Sequence, residues 1–361
     1  MAKEDVVKMQ IKRVEKELRD LPHHKGTDHH IGRLRAKLAI LEEKLESPSG
    51  AKGGGGGGYA VKKQGDATVV LVGPPSAGKS TLLNLLTNAE SKVAAYAFTT
   101  LTVIPGMMDY KNAKIQILDV PGLIEGAQEG KGRGKEVLAV ARNCDLIVFM
   151  TDPDRLDFFK KLVKELEQAG IRINKIKPQI KIEKKTNGGL YVHTNLKQDL
   201  DKETVKEVAT EFGIKNGEIT VNEKLTMERL IDAFSKNRVY IPAIYVVNKS
   251  DTLDKKENEK IDTRILRISA DKNTGIEEMR QKVWEKLNFI NVFLFNKANE
   301  EFDEIKIVKN GITLQELGES IGDKFLEGKT AAKIYGKAAK FEGQEVSLTI
   351  KVVDGMKIRF I

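Results

Sequence analysis

Apolar positions near the start of the chain recur at helical spacing. Val6, Val7, Met9, Ile11, Val14 and Leu18 define one face, and Leu34, Leu38, Leu41 and Leu45 define another. Between them, Leu21-Pro22 through Gly26 breaks the pattern, so residues 1–50 read as a helical hairpin. Two helices alone bury little apolar surface, so the hairpin is expected to dock on another domain or on a partner. The unbroken run Gly53 to Gly58 has no side chains to pack, which makes 51–66 a glycine-rich linker.

Beyond the linker the period shortens. Thr68-Val69-Val70-Leu71-Val72 is short and β-branched, the pattern of a buried strand, and it runs into a glycine loop and a helix beginning near Lys79. Ile115–Leu118, Leu146–Met150, Ala243–Val247 and Ile265–Ile268 are strands of the same kind, the last followed by a helix through Trp284. Strands alternating with helices predict an α/β fold, a largely parallel sheet wrapped by helices, over 67–152 and 241–290. The gap between the third and fourth strands is too long for one crossover helix. It carries its own pattern: a helix to about Gly170, strand-like runs near 178–185 and 189–194, and helices near 202–212 and 226–235. Residues 153–240 therefore read as an inserted α+β subdomain. Residues 291–361 read as a small mixed domain, with strands around Val292 and Ile305, a helix at Thr313–Ile321 and late strands ending at Lys357–Ile361.

Composition narrows the class. At 361 residues, 40% hydrophobic and 31% charged, the chain has room for two or three globular domains. No stretch approaches the roughly 18 apolar residues of a membrane span. The opening Met-Ala-Lys-Glu-Asp lacks the apolar core of a secretion signal, so a cytoplasmic location away from membranes is expected. The single cysteine, Cys144, excludes an intramolecular disulfide and reads as a buried small hydrophobe rather than a reactive thiol. A net charge of +9 favours a polyanion such as RNA, or simply a solvated basic surface, and nothing points to DNA. The excess is uneven: residues 155–200 hold eleven Lys/Arg against five Asp/Glu.

Candidate chemistry sits at the ends of the predicted strands. Gly73-Pro74-Pro75-Ser76-Ala77-Gly78-Lys79-Ser80 matches G-x-x-x-x-G-K-[ST] between a strand and a helix. Backbone N–H groups of such a loop wrap phosphates, and the helix N-terminus adds its positive end. Lys79 is expected at the β- and γ-phosphates, with the Ser80 hydroxyl on Mg²⁺. Gly73, Ser76, Ala77, Gly78 and Thr81 complete the phosphate-binding set. Asp119-Val120-Pro121-Gly122 follows the second strand, where the acid can hold Mg²⁺ and the Gly122 N–H can sense a γ-phosphate. Asn248-Lys249-Ser250-Asp251 closes the fourth strand. A carboxylate at Asp251 accepts from both N1–H and the 2-amino group of guanine, and adenine offers neither, which argues against an ATPase. Ser269-Ala270, after the fifth strand, can place a backbone N–H on guanine O6. Four signals in order, each at a strand's C-terminal edge, fit the edge where open α/β sheets bind ligands.

These elements resemble the translation-factor class of small GTPases, and the surrounding residues narrow the resemblance to the Obg-related group. Tyr96-Ala97-Phe98-Thr99-Thr100-Leu101-Thr102 looks like its first switch, with Thr100 at the position of the family's Mg²⁺-ligating threonine and Phe98 and Thr99 beside the nucleotide. Gly122-Leu123-Ile124-Glu125-Gly126-Ala127 through Gly130-Lys131-Gly132-Arg133-Gly134 is similar to its second switch. The Thr27-Asp28-His29-His30-Ile31-Gly32 segment, the linker, the insertion and the C-terminal domain together resemble the developmentally regulated GTP-binding protein subfamily over the whole chain. The tail through Val353-Asp354-Gly355-Met356-Lys357-Ile358 looks like a TGS domain, a ubiquitin-like β-grasp module. The resemblance implies a P-loop GTPase domain, GTP/GDP and Mg²⁺ as ligands, Lys79, Thr100 and Gly122 in hydrolysis, association with ribosomes or RNA, and a small stabilising partner protein.

Ras-like enzymes place a water-orienting glutamine directly after the D-x-x-G glycine. Leu123 stands there and cannot orient water, so slow intrinsic turnover is expected. Arg133, Lys135 or a potassium ion are candidates for transition-state charge, or the two side chains are ordinary solvated charges. Leu123 also sustains a rival, a non-enzymatic RNA- or ribosome-binding factor that uses GTP only to set its shape. His23, His24, His29 and His30 lie at the helical break, where polarity explains them better than a metal site does.

Overall fold

The computed structural model describes residues 3–22, 27–46, 64–87, 94–95, 102–120, 133–296, 298–322 and 324–361. Continuous apolar runs make strands that can be buried on both faces, and parallel sheets need such strands. Ala67–Val72 and Leu146–Thr151 are buried at every position. They lie within a seven-stranded sheet ordered Leu266–Arg267, Ala243–Val247, Leu146–Thr151, Ala67–Val72, Ala113–Asp119, Thr102–Tyr110 and Ala94–Ala95. The first five are mutually parallel, with Val69 opposite Leu146 on one side and Ile117 on the other. The parallel run ends at Ala113–Asp119, which pairs antiparallel with Thr102–Tyr110 through a tight turn at Lys111-Asn112, φ 47° and 70°. The sequence pattern does not reveal the Thr102–Tyr110 strand, because Pro105-Gly106 interrupts it. Gly106 is there for clearance: a Cβ on it would lie 2.5 Å from Thr87 Cγ2.

The chain divides into two compact units, Gly57–Ala169 with Ile241–Ile361, and Met1–Gly56 with Gly170–Tyr240. The first holds the seven-stranded sheet and a five-stranded sheet, ordered Glu301–Lys309, Phe289–Asn296, Lys357–Phe360, Ala331–Tyr335 and Gln344–Ser347. One face of the smaller sheet is covered by the helix Leu314–Ile321, which begins with a reciprocal Thr313–Glu316 cap, a device worth about 1 kcal/mol. Leu314 and Leu317 pack there with Val292, Leu294, Ile334 and Ile358. The helix Phe158–Gln168 also belongs to this unit: Phe159 meets Tyr245 of the large sheet edge-on at 5.3 Å. The second unit therefore takes up the chain at Gly170 rather than at 153, because the apolar stripe Phe159, Leu162, Leu166 has its partner in the large sheet.

In the second unit the helices Lys3–Asp20 and Asp28–Glu46 close on Val14, Leu34 and Leu41. The small face of the second helix meets a three-stranded sheet, ordered Ile180–Lys184, Gly217–Val221 and Leu190–Thr194, and its helices Lys202–Glu211 and Met227–Phe234. Ala36 and Ala39 join Val205, Val208, Leu230 and Ile231 in one core. His29 Nε2 lies 2.9 Å from Asp201 Oδ2, so a histidine of the helical break ties the hairpin to the insertion. Asp232 is 9% exposed and accepts from Arg172 at 2.6 Å and from Arg238 at 3.0 Å. The glycine run of the linker lies outside the described residues.

Candidate functional site

The phosphate loop follows from what its backbone must avoid. A Cβ on Gly73 would sit 2.0 Å from the Met150 carbonyl oxygen, and one on Gly78 would sit 2.2 Å from Asn248 Nδ2. Ser76 and Gly78 are left-handed, φ 62° and 89°, and alternation of such residues turns successive amides toward one concavity. Ala77 is buried beneath the loop. The helix Lys79–Leu86 starts at Gly78 without a side-chain cap, and Thr81 is exposed on its first turn. An uncapped N-terminus presents its amides and positive dipole end to an anion. The Lys79 ammonium donates to the Gly73 and Pro74 carbonyls at 2.9 and 3.0 Å, which holds it over the loop.

Asp119 ends its strand beside this helix. Ser80 Oγ donates to Asp119 Oδ2 at 2.7 Å, so the two oxygen ligands expected for a cation are already adjacent. Asp119 is 4% exposed, and its Oδ1 is buried without a hydrogen-bond partner among the described residues. A bare buried carboxylate oxygen beside a hydroxyl suits a hard cation such as Mg²⁺, which takes few protein ligands. Phe98, Thr99, Thr100, Gly122 and Leu123 lie outside the described residues, as do His23 and His24.

Asn248 links the two halves of the site. Its Nδ2 donates to the Ala77 carbonyl at 2.9 Å, and its Oδ1 accepts from the Ala270 amide at 2.9 Å. The Ser269 amide donates to the Thr274 carbonyl at 3.0 Å. The Ser269-Ala270 pair, from which the sequence assigns one backbone N–H to guanine O6, thus has both amides engaged inside the protein. Ser269 acts here through its side chain: its hydroxyl is the main cause that holds the exposed Asp251 carboxyl below the usual carboxylate range. Lys249 takes the left-handed conformation, φ 60°, at the bend between Asn248 and Asp251.

A further pair braces the loop from below. Arg155 Nη2 donates to the Pro75 carbonyl at 3.1 Å, and its Nε donates to Asp152 Oδ1 at 3.0 Å. That guanidinium is the main cause holding the Asp152 carboxyl below its ordinary range. The signal was an Asp-x-x-Arg spacing after the third predicted strand, too common to single out before its contact with Pro75 is known.

Gripping phosphate at one end of a sheet edge and presenting a lone carboxylate at the other separates P-loop GTPases from other nucleotide-binding α/β folds, and this chain has their fold. Residues 68–185 match the family described as 50S ribosome-binding GTPase, and 187–289 match the C-terminal region of that domain. An uncharacterized GTP-binding protein of Methanocaldococcus jannaschii is 44% identical over 97% of this chain and 91% of its own length. Developmentally-regulated G-protein 3 of Arabidopsis thaliana is 40% identical over 94% of both chains. Ribosome-interacting GTPase 1 of Saccharomyces cerevisiae is 37% identical over 94% of both. The chain belongs to the family of developmentally regulated GTP-binding proteins, and it is a GTP-binding protein. Among the described residues, no helix is long and apolar enough to cross a membrane.

Proposed function

We propose that this chain hydrolyses GTP to GDP and phosphate with Mg²⁺, slowly on its own, as a cytoplasmic switch associated with the ribosome. The Ser80–Asp119 pair carries the catalytic reading. A buried carboxylate oxygen without a donor is costly by itself, and a divalent cation at that point offsets the cost. Ser80 and Asp119 would hold the ion, with Thr100 added from the family resemblance, and when bound it neutralises charge on the phosphate oxygens. Lys79 can swing from the Gly73 and Pro74 carbonyls to the β- and γ-phosphates, since both partners lie within one side-chain length of the loop. Asp251 accepts from guanine N1–H and the 2-amino group, and Gly122 offers its amide to the γ-phosphate. With Leu123 unable to orient water, turnover is expected on the order of 10⁻⁴ to 10⁻² s⁻¹.

The family description and the yeast relative's name support a ribosomal partner. A TGS-type C-terminal domain and a small stabilising protein follow from the family resemblance. Phosphate release from GTP in a single turnover tests the enzymatic reading. Wild type should release phosphate only with Mg²⁺, and Lys79→Ala should release none. Wild type that binds GTP and releases no phosphate would leave a binding factor that uses GTP as a conformational ligand. Repeating the assay in K⁺ and Na⁺ with Arg133→Ala tests two of the three candidates for transition-state charge; equal rates throughout remove Arg133 and potassium and leave Lys135.

A further inference from the structure

The three-stranded sheet of the inserted unit ends in two unlike edges. Its strands lie in the order Ile180–Lys184, Gly217–Val221 and Leu190–Thr194, so the first and the last each leave one side unpaired. An open edge is a row of amides and carbonyls that another strand can join, and charged side chains are the usual guard against it. Ile180–Lys184 carries that guard in Lys181, Glu183 and Lys184, the first two paired with each other. Leu190–Thr194 carries none. Its sequence, Leu-Tyr-Val-His-Thr, holds no permanent charge, and Tyr191 is 58% exposed. The acids nearest to it are answered within the unit: Glu218 pairs with Lys185, and Asp201 accepts from His29 and from the Thr204 amide. Lys202 is exposed and free to turn to solvent.

The ladder decides which groups the open edge offers. The Gly217 amide donates to the Gly189 carbonyl at 2.9 Å, and Leu190 lies opposite Gly217 in a parallel pairing. Backbone groups alternate sides along a strand, so Gly189, Tyr191 and His193 bond to Gly217–Val221. Leu190, Val192 and Thr194 then turn their amides and carbonyls to the open side. That row is symmetric about Val192. Two copies set antiparallel about a two-fold axis can exchange both bonds between their Val192 residues, and both between Leu190 and the partner's Thr194. Tyr191 and the partner's His193 fall between these, in the pairs where side chains come closest. The inner face matches too. A cavity of about 320 Å³, lined by Val192, Thr194, Val205, Val221 and Leu225, lies at the end of the strand. In this register the partner's Leu190 stands opposite Thr194 and on the same face, beside the cavity. A Cβ on Gly188 or Gly189 would meet nothing within 4 Å, so the chain leading into the strand leaves the edge clear.

We infer that the edge Leu190–Thr194 pairs with the same edge of a second copy of this chain, joining two three-stranded sheets into one. The occupant follows from self-complementarity: the backbone bonds exchange symmetrically, no charge on the strand meets its like across the axis, and each Leu190 reaches a cavity. A segment of an unlike protein would require none of that symmetry. Strands of five residues bury well under the about 800 Å² a side of a standard interface, so the dimer should be weak, with a Kd on the order of 10–100 µM.

Sedimentation of the full chain from about 1 to 300 µM brackets that range and tests the pairing. Wild type should pass from monomer to dimer. Tyr191→Lys with His193→Lys sets like charges opposite each other across the axis and should raise the Kd at least about tenfold. Tyr191→Glu with His193→Glu should do the same, and an equimolar mixture of the two variants should sediment as a dimer again. Both positions are exposed, so circular dichroism and melting temperature should match wild type. Should the second variant melt early beside Glu218, Tyr191→Cys mixed with His193→Cys takes its place, and the register expects a disulfide between the two chains. Wild type that stays monomeric throughout overturns the pairing. So does a first variant that dimerises like wild type, or a mixture that neither dimerises nor cross-links. Association that continues past the dimer overturns the closed two-fold edge.

Discussion

Asp119 is a buried carboxylate and Asp232 a nearly buried one, one in each compact unit, and the chain treats them oppositely. Asp232 in the inserted unit accepts from two guanidinium groups, Arg172 and Arg238, themselves 14% and 7% exposed at the side chain. Among the described residues, Asp119 at the nucleotide edge has one hydroxyl donor and one bare oxygen. The same edge holds Ser76 and Lys249 in left-handed backbone, a conformation that costs non-glycine residues on the order of 1 kcal/mol. A carboxylate whose charge is fully answered by the protein is structural. One whose charge is left partly unanswered, among strained backbone, is waiting for a ligand.

Removing each carboxylate should therefore have opposite consequences. Asp232→Ala takes the shared carboxylate from Arg172 and Arg238, both largely shielded from solvent, which should cost about 3 kcal/mol. The loss should appear as faster hydrogen exchange across residues 170–240, with GTP affinity retained. Asp119→Asn should weaken Mg²⁺-dependent GTP binding by about 1.5–3 kcal/mol, roughly 10- to 150-fold, since a charged acceptor is lost. Without nucleotide its melting temperature should stay level or rise, because an unanswered buried charge is gone. Parallel behaviour of the two variants in both assays would dissolve the contrast.

How legible each region is in the sequence follows from the range of its contacts. Ala67–Val72 and Leu146–Thr151 are continuous apolar runs, and Gly73 to Ser80 carries its chemistry in eight adjacent residues, so both can be read directly. The edge strand at Thr102–Tyr110 hides behind Pro105-Gly106, because the need for that glycine lies in Thr87. An amphipathic helix such as Phe158–Gln168 looks the same whichever sheet it covers, so its stripe cannot fix the start of the insertion. Asp251 is legible from its motif. The bridge that Asn248 builds between Ala77 and Ala270 is not, since it depends on three segments meeting. Arg155 braces a carbonyl 80 residues away and has no local signature at all.

The base-reading end of the edge offers a test by pH. Asp251 is held below the usual carboxylate range chiefly by the Ser269 hydroxyl, so its charged form persists into acid. If Asp251 reads guanine as proposed, selection should be complete above the ordinary carboxylate range and fade only as pH falls through the lowered value. Ser269→Ala removes the principal cause, and the acid limb of GDP affinity should move to higher pH. A limb that stays in place would detach Ser269 from base recognition.

The smallest effect is expected where the two regimes meet. Arg155 is paired to Asp152 like a structural residue, yet it also holds the Pro75 carbonyl of the phosphate loop. Its side chain is 41% exposed, so solvent screens the pair, and Arg155→Ala should cost at most about 1 kcal/mol of stability. Because the guanidinium holds the Asp152 carboxyl low, that contribution is present at neutral pH and is lost as pH falls through the lowered value. GDP affinity, followed by fluorescence titration, should drop only a few-fold, since the left-handed turn at Ser76 and Gly78 still shapes the loop. Arg155→Lys should recover part of the loss, as it keeps the charge without the planar fork. A drop beyond tenfold with normal stability would move Arg155 into the nucleotide site, and the contrast between answered and unanswered charge would then have to be redrawn around the carbonyl it holds.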